Sequence, residues 1–287
     1  MSNSIHFLNT GHSDCIILES NGHFAMIDAA EDTDYPADKP HLNLKGYEKE
    51  VCNYLIKNCT DKNGVVTLDF ILGTHCHSDH IGGFDTIINH PGIVVKKAFL
   101  KPYHEENIFI MERKRWDNKE VYQQMKNALD EKNIPITQEF DNHSMKLGDF
   151  NIKFFNGKYK KPSRKFGENV NSVVTLVETN GLKALLTGDM NYKNGGEREI
   201  ADKVGKIDLL KVGHHGYFGS TSAYFVKTLM PKIAVICNSS SRIYPDVRFK
   251  LKYISKSEIY CTEDCNGVKA EFKDRIILSK NIMSKIT

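Results

Sequence analysis

Long hydrophobic runs are missing from this 287-residue chain. The longest clean apolar stretches, such as Ile233 to Cys237, fall far short of the ~20 residues a bilayer span needs, so no transmembrane segment and no membrane partner are expected. Met1 to Ile5 has no basic stretch followed by an apolar one, so no secretory leader is expected. Charge of one sign is scarce too: 39 Lys and Arg against 36 Asp and Glu leave a formal +3. That is too little for a nucleic-acid-coating surface and leaves room only for a local basic patch. The seven cysteines (Cys15, Cys52, Cys59, Cys76, Cys237, Cys261 and Cys265) form an odd set scattered through apolar segments. Reduced thiols of a cytosolic protein look like this, and the expected location is cytoplasmic. Cys261 and Cys265 resemble half a zinc site, but no second pair stands near them. No Gly/Ser linker, low-complexity tract or composition break divides the chain, which reads as one domain over 1–287. With 40% hydrophobic and 26% charged residues it has the material for a sizeable globular core.

Short apolar runs with turn residues between them do recur. Ile5 to Leu8, Cys15 to Leu18, Phe24 to Ile27, Phe70 to Leu72 and Val94 to Leu100 read as strands. Lys49 to Asn58, with Val51, Tyr54 and Leu55 on one stripe, reads as an amphipathic helix, as does Asn118 to Lys132, with Val121, Met125 and Leu129 on its stripe. Glu105 to Lys119, upstream of the second helix, is heavily charged and holds the one tryptophan, Trp116. The second half repeats the grammar. Phe150 to Phe155, Ser172 to Glu178, Leu182 to Thr187, Leu209 to Val212, Ile233 to Cys237, Glu258 to Cys261 and Val268 to Phe272 read as strands, with helices near Glu197 to Val204 and Ala223 to Leu229. Two strand-rich halves with helices between their strands imply an α/β, two-sheet sandwich flanked by helices.

The most informative segment is Thr74-His75-Cys76-His77-Ser78-Asp79-His80, which follows an apolar strand and precedes Gly82-Gly83. It holds four potential ligands within six residues. Neutral imidazoles at His75 and His77 can face one cation, while Asp79 and His80, on the next stretch of backbone, can supply a second. A strand-end loop can aim such side chains together, where a regular strand would alternate them.

The segment resembles the HxHxDH motif of the metallo-β-lactamase superfamily, a set of αββα metallohydrolases, and the likeness extends from about Ile5 to Phe272. It implies a four-layer αββα sandwich. Met26-Ile27-Asp28 resembles the family's strand ending in aspartate, which implies that Asp28 braces a ligand histidine. Leu186-Thr187-Gly188-Asp189 resembles the segment of the metal-bridging aspartate, and Lys211-Val212-Gly213-His214-His215-Gly216 that of the last histidine. Asp189 has its own reading as a carboxylate at a strand end, able to bridge two cations. In a strictly extended backbone His214 and His215 would point oppositely, so one ligates while the other touches substrate or solvent. The strand register favours His214 and the Gly216 end favours His215.

One departure matters. Many family members supply a third histidine to the first metal from a GHTPGS-like stretch, where this chain has Gly167-Glu168-Asn169-Val170-Asn171-Ser172. Asn169, Asn171, a water or a substrate oxygen would complete that coordination; the nearest histidine, His143, reads as a surface residue. The departure argues against β-lactam hydrolysis. The Asn-x-Asn-Ser variant, Thr10-Gly11-His12-Ser13-Asp14, Asp32-Thr33-Asp34-Tyr35-Pro36, Arg115-Trp116-Asp117-Asn118 and His214-His215-Gly216-Tyr217 resemble one branch of the superfamily. That branch includes the nuclease-like domain of competence DNA-uptake proteins and, with the closer likeness, the teichoic-acid phosphorylcholine esterase.

The resemblance implies two divalent cations held by His75, His77, Asp79, His80, Asp189 and His214 or His215, with Asp79, Asp189 and His215 as the catalytic set. A metal-bridging hydroxide would attack a phosphodiester in line. Zinc suits such an imidazole-rich cage, and manganese also suits one with carboxylates. The expected partner is a small-molecule phosphodiester, phosphorylcholine esters among them. His12, Asn169, Asn171, Trp116 and Tyr217 are the candidate substrate contacts, since aromatic faces such as these and Tyr35, Tyr103 and Phe218 attract a quaternary ammonium. Basic residues Arg113, Lys114 and Arg115, or Lys158, Lys160, Lys161, Arg164 and Lys165, would instead track a nucleic-acid backbone, the mark of a nuclease or cyclic-nucleotide phosphodiesterase. A third alternative is a non-catalytic metal-binding protein.

Overall fold

The computed structural model describes residues 2–162, 167–192 and 196–284. Arg164 and Lys165 of the second basic stretch lie outside the described residues. Strands β1 (Asn3–Phe7), β2 (Cys15–Ser20) and β3 (His23–Ala29) form an antiparallel meander. The β2–β3 turn is Asn21-Gly22, both at positive φ (52° and 79°), the backbone that a two-residue hairpin matched to strand twist requires. Strand β4 (Val66–Gly73) joins β3 in parallel. Strands β5 (Ile93–Val95) and β6 (Ala98–Leu100) both pair with β4, and β7 (Ile136–Thr137) lies against β6.

The second sheet begins with antiparallel β8 (Ser144–Leu147), β9 (Phe150–Phe155), β10 (Val174–Thr179) and β11 (Leu182–Leu186). It continues in parallel through β12 (Leu209–Lys211), β13 (Ile233–Ile236) and β14 (Glu258–Cys261). The chain then returns to the first sheet, where β15 (Val268–Phe272) and β16 (Ile276–Lys280) extend the β1 edge.

Three apolar layers hold these sheets. The central one interleaves Leu18, Phe70 and Leu72 of the first sheet with Phe154, Val177 and Leu186 of the second, and each fully buried side chain of this kind contributes ~1.5–3 kcal/mol. On the outer face of the first sheet lie α1 (Glu48–Asn58), α2 (Ser78–Ile81), α3 (Phe84–Asn89) and α5 (Asn118–Glu131); Leu55, Ile81, Ile87 and Met125 pack over Ile71. On the outer face of the second lie α6 (Gly196–Val204), α7 (Ala223–Leu229) and α8 (Pro245–Lys250), packed through Ile200, Val226 and Val247. A short α4 (Ile110–Arg115) precedes α5 on the surface. This is the expected αββα sandwich. Among the described residues no helix is long and apolar enough to cross a membrane.

The structure corrects several sequence expectations. Val94 to Leu100 is two strands: β5 pairs with the first half of β4 and β6 with the second, and the chain jogs at Lys96-Lys97 between them. The strand expected from Ser172 starts at Val174, after a 3₁₀ turn over Glu168–Asn171. The charged stretch before the second helix folds in part as a short helix, Ile110–Arg115, and Trp116 ends it in extended backbone (φ −121°, ψ 161°). Helices α2, α3 and α8, each six residues or fewer, were not legible from periodicity. All seven cysteines are free, and Cys261 and Cys265 belong to no ligand cluster among the described residues.

Candidate metal centre

Strands β3, β4, β11 and β12 end at one edge of the sandwich, so the segments that follow them meet there. Thr74, just past β4, donates from its N–H to Asp28 Oδ1 and from its hydroxyl to Asp28 Oδ2, both at 2.8 Å. Beyond extended His77 the chain turns into α2, which carries Asp79 and His80. A Cβ on Gly83 would meet the Ala29 carbonyl oxygen at 2.5 Å, so glycine is what lets this segment lie directly on the end of β3. Fully buried His80 comes within 2.7 Å of Asp28 through Nδ1, which leaves Nε2 facing away from that carboxylate.

Nε2 of His80 lies 3.2 Å from Asp189 Oδ1. Nε2 of His215 lies 3.3 Å from the same oxygen and 3.2 Å from Asp79 Oδ2. His80 Nε2, His215 Nε2 and Asp189 Oδ1 are nonetheless buried without a hydrogen-bond partner. They converge on a common point rather than on one another. Spacings of 3.2–3.3 Å match the edge of a tetrahedron with 2.0–2.1 Å bonds, about 3.3 Å, and Asp79 Oδ2 stands wider, 4.0 Å from His80 Nε2, so the group has the size to hold a small divalent cation. A second group joins His75, His77 and Asp189, with His75 Nε2 and His77 Nδ1 facing each other at 3.1 Å. Asp189 is common to both groups.

The premise of an extended backbone at the paired histidines does not hold. His214 and His215 both have positive φ (51° and 50°), so neither alternates as on a strand. His215 converges with Asp79, His80 and Asp189; His214 stops at 3.9 Å from Asp189 Oδ2, with its side chain 29% exposed and its ring 5.8 Å from that of Tyr217. The two asparagines also part company. Asn169 lines the cavity with a buried, unpartnered Oδ1. Asn171 is turned away: it donates to the Lys160 carbonyl and Glu168 Oε2 and accepts from the Lys160 N–H, which braces the loop and removes it from the cage. His143 is exposed, with its ring against Phe154, as a surface histidine should be.

Four carboxylates crowd these imidazoles, and the pKa shifts follow. Burial alone would lower His80 and His215, but Asp189 together with Asp28 and Asp79 holds His80 well above the usual histidine range, and Asp189 together with Asp14 does the same for His215. Burial would raise Asp79 and Asp189, and the neighbouring imidazoles outweigh it and hold both low. His75 goes the other way: burial, with His80 and His77 beside it, keeps it well below the ordinary value.

The cage floors a cavity of about 540 Å³ walled by Leu42, Leu44, Trp116 and Tyr217, with His12, His214 and the buried carboxyl of Glu31 facing it. That volume is in the range of small-ligand sites. Tyr35, Tyr103 and Phe218 do not line it: Tyr35 is exposed, Tyr103 packs on Tyr122, and Phe218 lies against Tyr244.

Three participants escaped the sequence reading. Asp14 Oδ1 stands 3.4 Å from His215 Nδ1, and its other oxygen pairs with the fully buried ammonium of Lys211. Burial would raise Asp14, and Lys211 with His215 pulls it down to about 2. A lysine inside the apolar run Leu209-Leu210-Lys211-Val212 was the available signal, since such a charge is buried only with a partner. Glu112, whose carboxylate reaches His77, had no signal: it is one charge in a charged run, 35 positions away from its partner.

Residues 8–239 match the metallo-beta-lactamase superfamily. The chain is 27% identical over 221 residues to ComE operon protein 3 of Bacillus subtilis, covering 74% of this chain and 26% of that protein. It is 30% identical over 200 residues to Recombination protein 2 of Haemophilus influenzae, covering 69% of this chain and 20% of the other. It therefore spans only about a quarter and a fifth of these relatives' length. In fold it is similar to the metallo-beta-lactamase fold protein YhfI from Bacillus subtilis (11% identity, TM-score 0.57, 95% of this chain and 100% of that one). It is also similar to Zn(2+)-bound PqqB from Methylobacterium extorquens (9%, 0.53, 90% and 97%).

Proposed function

The chain belongs to the metallo-beta-lactamase superfamily, and from that premise we propose that it is a binuclear-metal-dependent phosphodiesterase acting on small phosphodiesters, phosphorylcholine esters foremost. The observation that carries this reading is a pair of ligand groups joined through Asp189, whose Oδ1 is buried without a hydrogen-bond partner together with His80 Nε2 and His215 Nε2. His75, His77 and Asp189 would hold one cation, and Asn169, which lines the same cavity, is the chain's candidate to complete it; Asp79, His80, Asp189 and His215 would hold the other. Bound cations supply an activated water and neutralise phosphate oxygens.

The chain's own residues do the rest. Asp28 fixes the ring of His80 through Nδ1, and the Cys237 carbonyl, 3.2 Å from Nδ1, fixes that of His215, with the Asp14 carboxylate beside it as a counter-charge. His12 and His214 are both kept neutral at pH 7 chiefly by burial, which suits them to donate an N–H to a phosphate oxygen. The walls of the cavity exclude water around one ester arm. Trp116 and Tyr217 offer aromatic faces to a quaternary ammonium, and the Glu31 carboxyl stands on the same cavity.

A nuclease is the second reading. It is supported by a relative named for recombination and by the exposed Lys158, Lys160 and Lys161. The test is parallel hydrolysis of p-nitrophenyl phosphorylcholine, bis-p-nitrophenyl phosphate and single-stranded DNA by zinc-loaded and manganese-loaded protein. Preference for the phosphorylcholine ester is expected. Preference for DNA transfers the activity to the nuclease reading, and inertness towards all three esters with metal bound leaves a metal-binding protein that is not a phosphodiesterase.

A further inference from the structure

Glu112 sits on α4, outside every motif of the metal centre, yet its largely buried carboxylate ends inside it. Oε1 accepts from His77 Nε2 at 3.3 Å, from the Glu168 backbone N–H at 2.9 Å and from Asn118 Nδ2 at 3.3 Å. Oε2 presses on Gly167: a Cβ built there would meet it at 2.5 Å, and the residue's φ of +53° is itself a glycine conformation. One side chain thus clamps three segments: the histidine loop, the start of α5 and the loop that carries Asn169. The last is the stretch from which a family histidine is missing.

We infer that Glu112 is a positioning residue for the His75–His77 half of the centre. By accepting from Nε2 it keeps the proton of His77 on that nitrogen and leaves Nδ1 free to face His75 Nε2. By accepting from the Glu168 N–H it pins the loop that places Asn169, with its unpartnered Oδ1, on the cavity lined by His77. In metal sites such an acceptor is a carboxylate, a backbone carbonyl or a water. Here it comes from the surface helix that also delivers Arg115 and Trp116 to the cavity wall, so wall and ligand are tied through one carboxylate. The inference rests on the metal-centre reading given above, and its test separates the two.

Long-range ¹⁵N–¹H spectra of the metal-free protein, taken at a pH above the raised titration of His77 so that the ring is neutral, read its tautomer directly. The expected state is the Nε2–H form; an Nδ1–H form in the wild-type protein overturns the inference whatever the variants do. Zinc affinity at each site then follows from competition with a chelating dye, for wild type, Glu112→Gln and Glu112→Met. Methionine keeps the side-chain length but offers no strong acceptor, and it should weaken one of two sites by ~10–100-fold while the other is unchanged. Glutamine keeps an acceptor oxygen, which the Glu168 N–H and Asn118 amide orient as they do in the wild type, and it should stay within about threefold. Wild-type affinity at both sites in Glu112→Met, with the Nε2–H tautomer retained, contradicts the proposal. A wild-type protein that takes up no zinc defeats the metal reading instead, while the tautomer still decides the role of Glu112.

Discussion

The half of the centre formed by Asp79, His80 and His215 is braced by carboxylates on the buried first sheet, whereas the half formed by His75 and His77 is braced from a surface helix. His80 and His215 each face a buried aspartate, Asp28 or Asp14, and Lys211 supplies a buried counter-charge from β12. His77 faces Glu112 of α4, and the 167–171 loop beside that helix places Asn169 on the same cavity. The first half is therefore stiff by burial and charge pairing. The second depends on a clamp that local opening of α4 would release, because exposed short helices open at low free-energy cost. Asp189 alone belongs to both.

The largest effect should come from removing that shared group. Asp189→Ala is expected to bring hydrolysis down to background and to cut bound zinc below one equivalent per chain, as measured by elemental analysis, with the far-ultraviolet circular dichroism unchanged. Next is the buried charge. Lys211→Met leaves Asp14 buried and unpaired and should cost about 3–5 kcal/mol in urea unfolding; a loss under 1 kcal/mol would mean the stiff half is not held by this pair.

The two adjacent histidines sharpen the contrast further. His215→Ala should lose one metal equivalent, whereas His214→Ala should keep both and lower kcat/KM roughly 100-fold, the lower end for one lost charge-stabilising donor. Equal metal loss in both variants would return His214 to the cage.

Protons separate the halves more finely. His80 and His215 are raised, so they are protonated at neutral pH until a cation displaces the protons. His77 is raised too: burial opposes this, but Glu112 and Asp79 prevail; His75 is already neutral. Zinc affinity should therefore fall as pH drops, with about two protons released in filling the stiff half and about one in the other half. Calorimetry in buffers of different ionisation enthalpy counts them. The smallest effect belongs to the cavity wall: Trp116→Ala should raise KM for a choline ester about 2- to 30-fold, corresponding to ~0.5–2 kcal/mol, with metal content unchanged.

Legibility in the sequence followed the same division. Elements whose residues alternate or repeat over a long enough window, such as Phe150–Phe155 or Asn118–Glu131, declared themselves, and so did ligands packed into one stretch, His75 to His80. Helices of four to six residues carry too few turns for periodicity, which hid α2 although it bears two of the candidate ligands. The His214–His215 choice turned on left-handed backbone at both residues, and no residue type there announces it, since neither is glycine or asparagine. Asn169 and Asn171 are indistinguishable by spacing; only the contacts of Lys160 and Glu168 show that one is occupied elsewhere. Glu112 is legible only in three dimensions.

Diffraction from zinc-soaked crystals on either side of the zinc absorption edge tests the central claim most directly. Two anomalous peaks sharing Asp189 are expected, one beside His75 and His77 and one among Asp79, His80 and His215. No peak, or a single peak away from Asp189, contradicts the account.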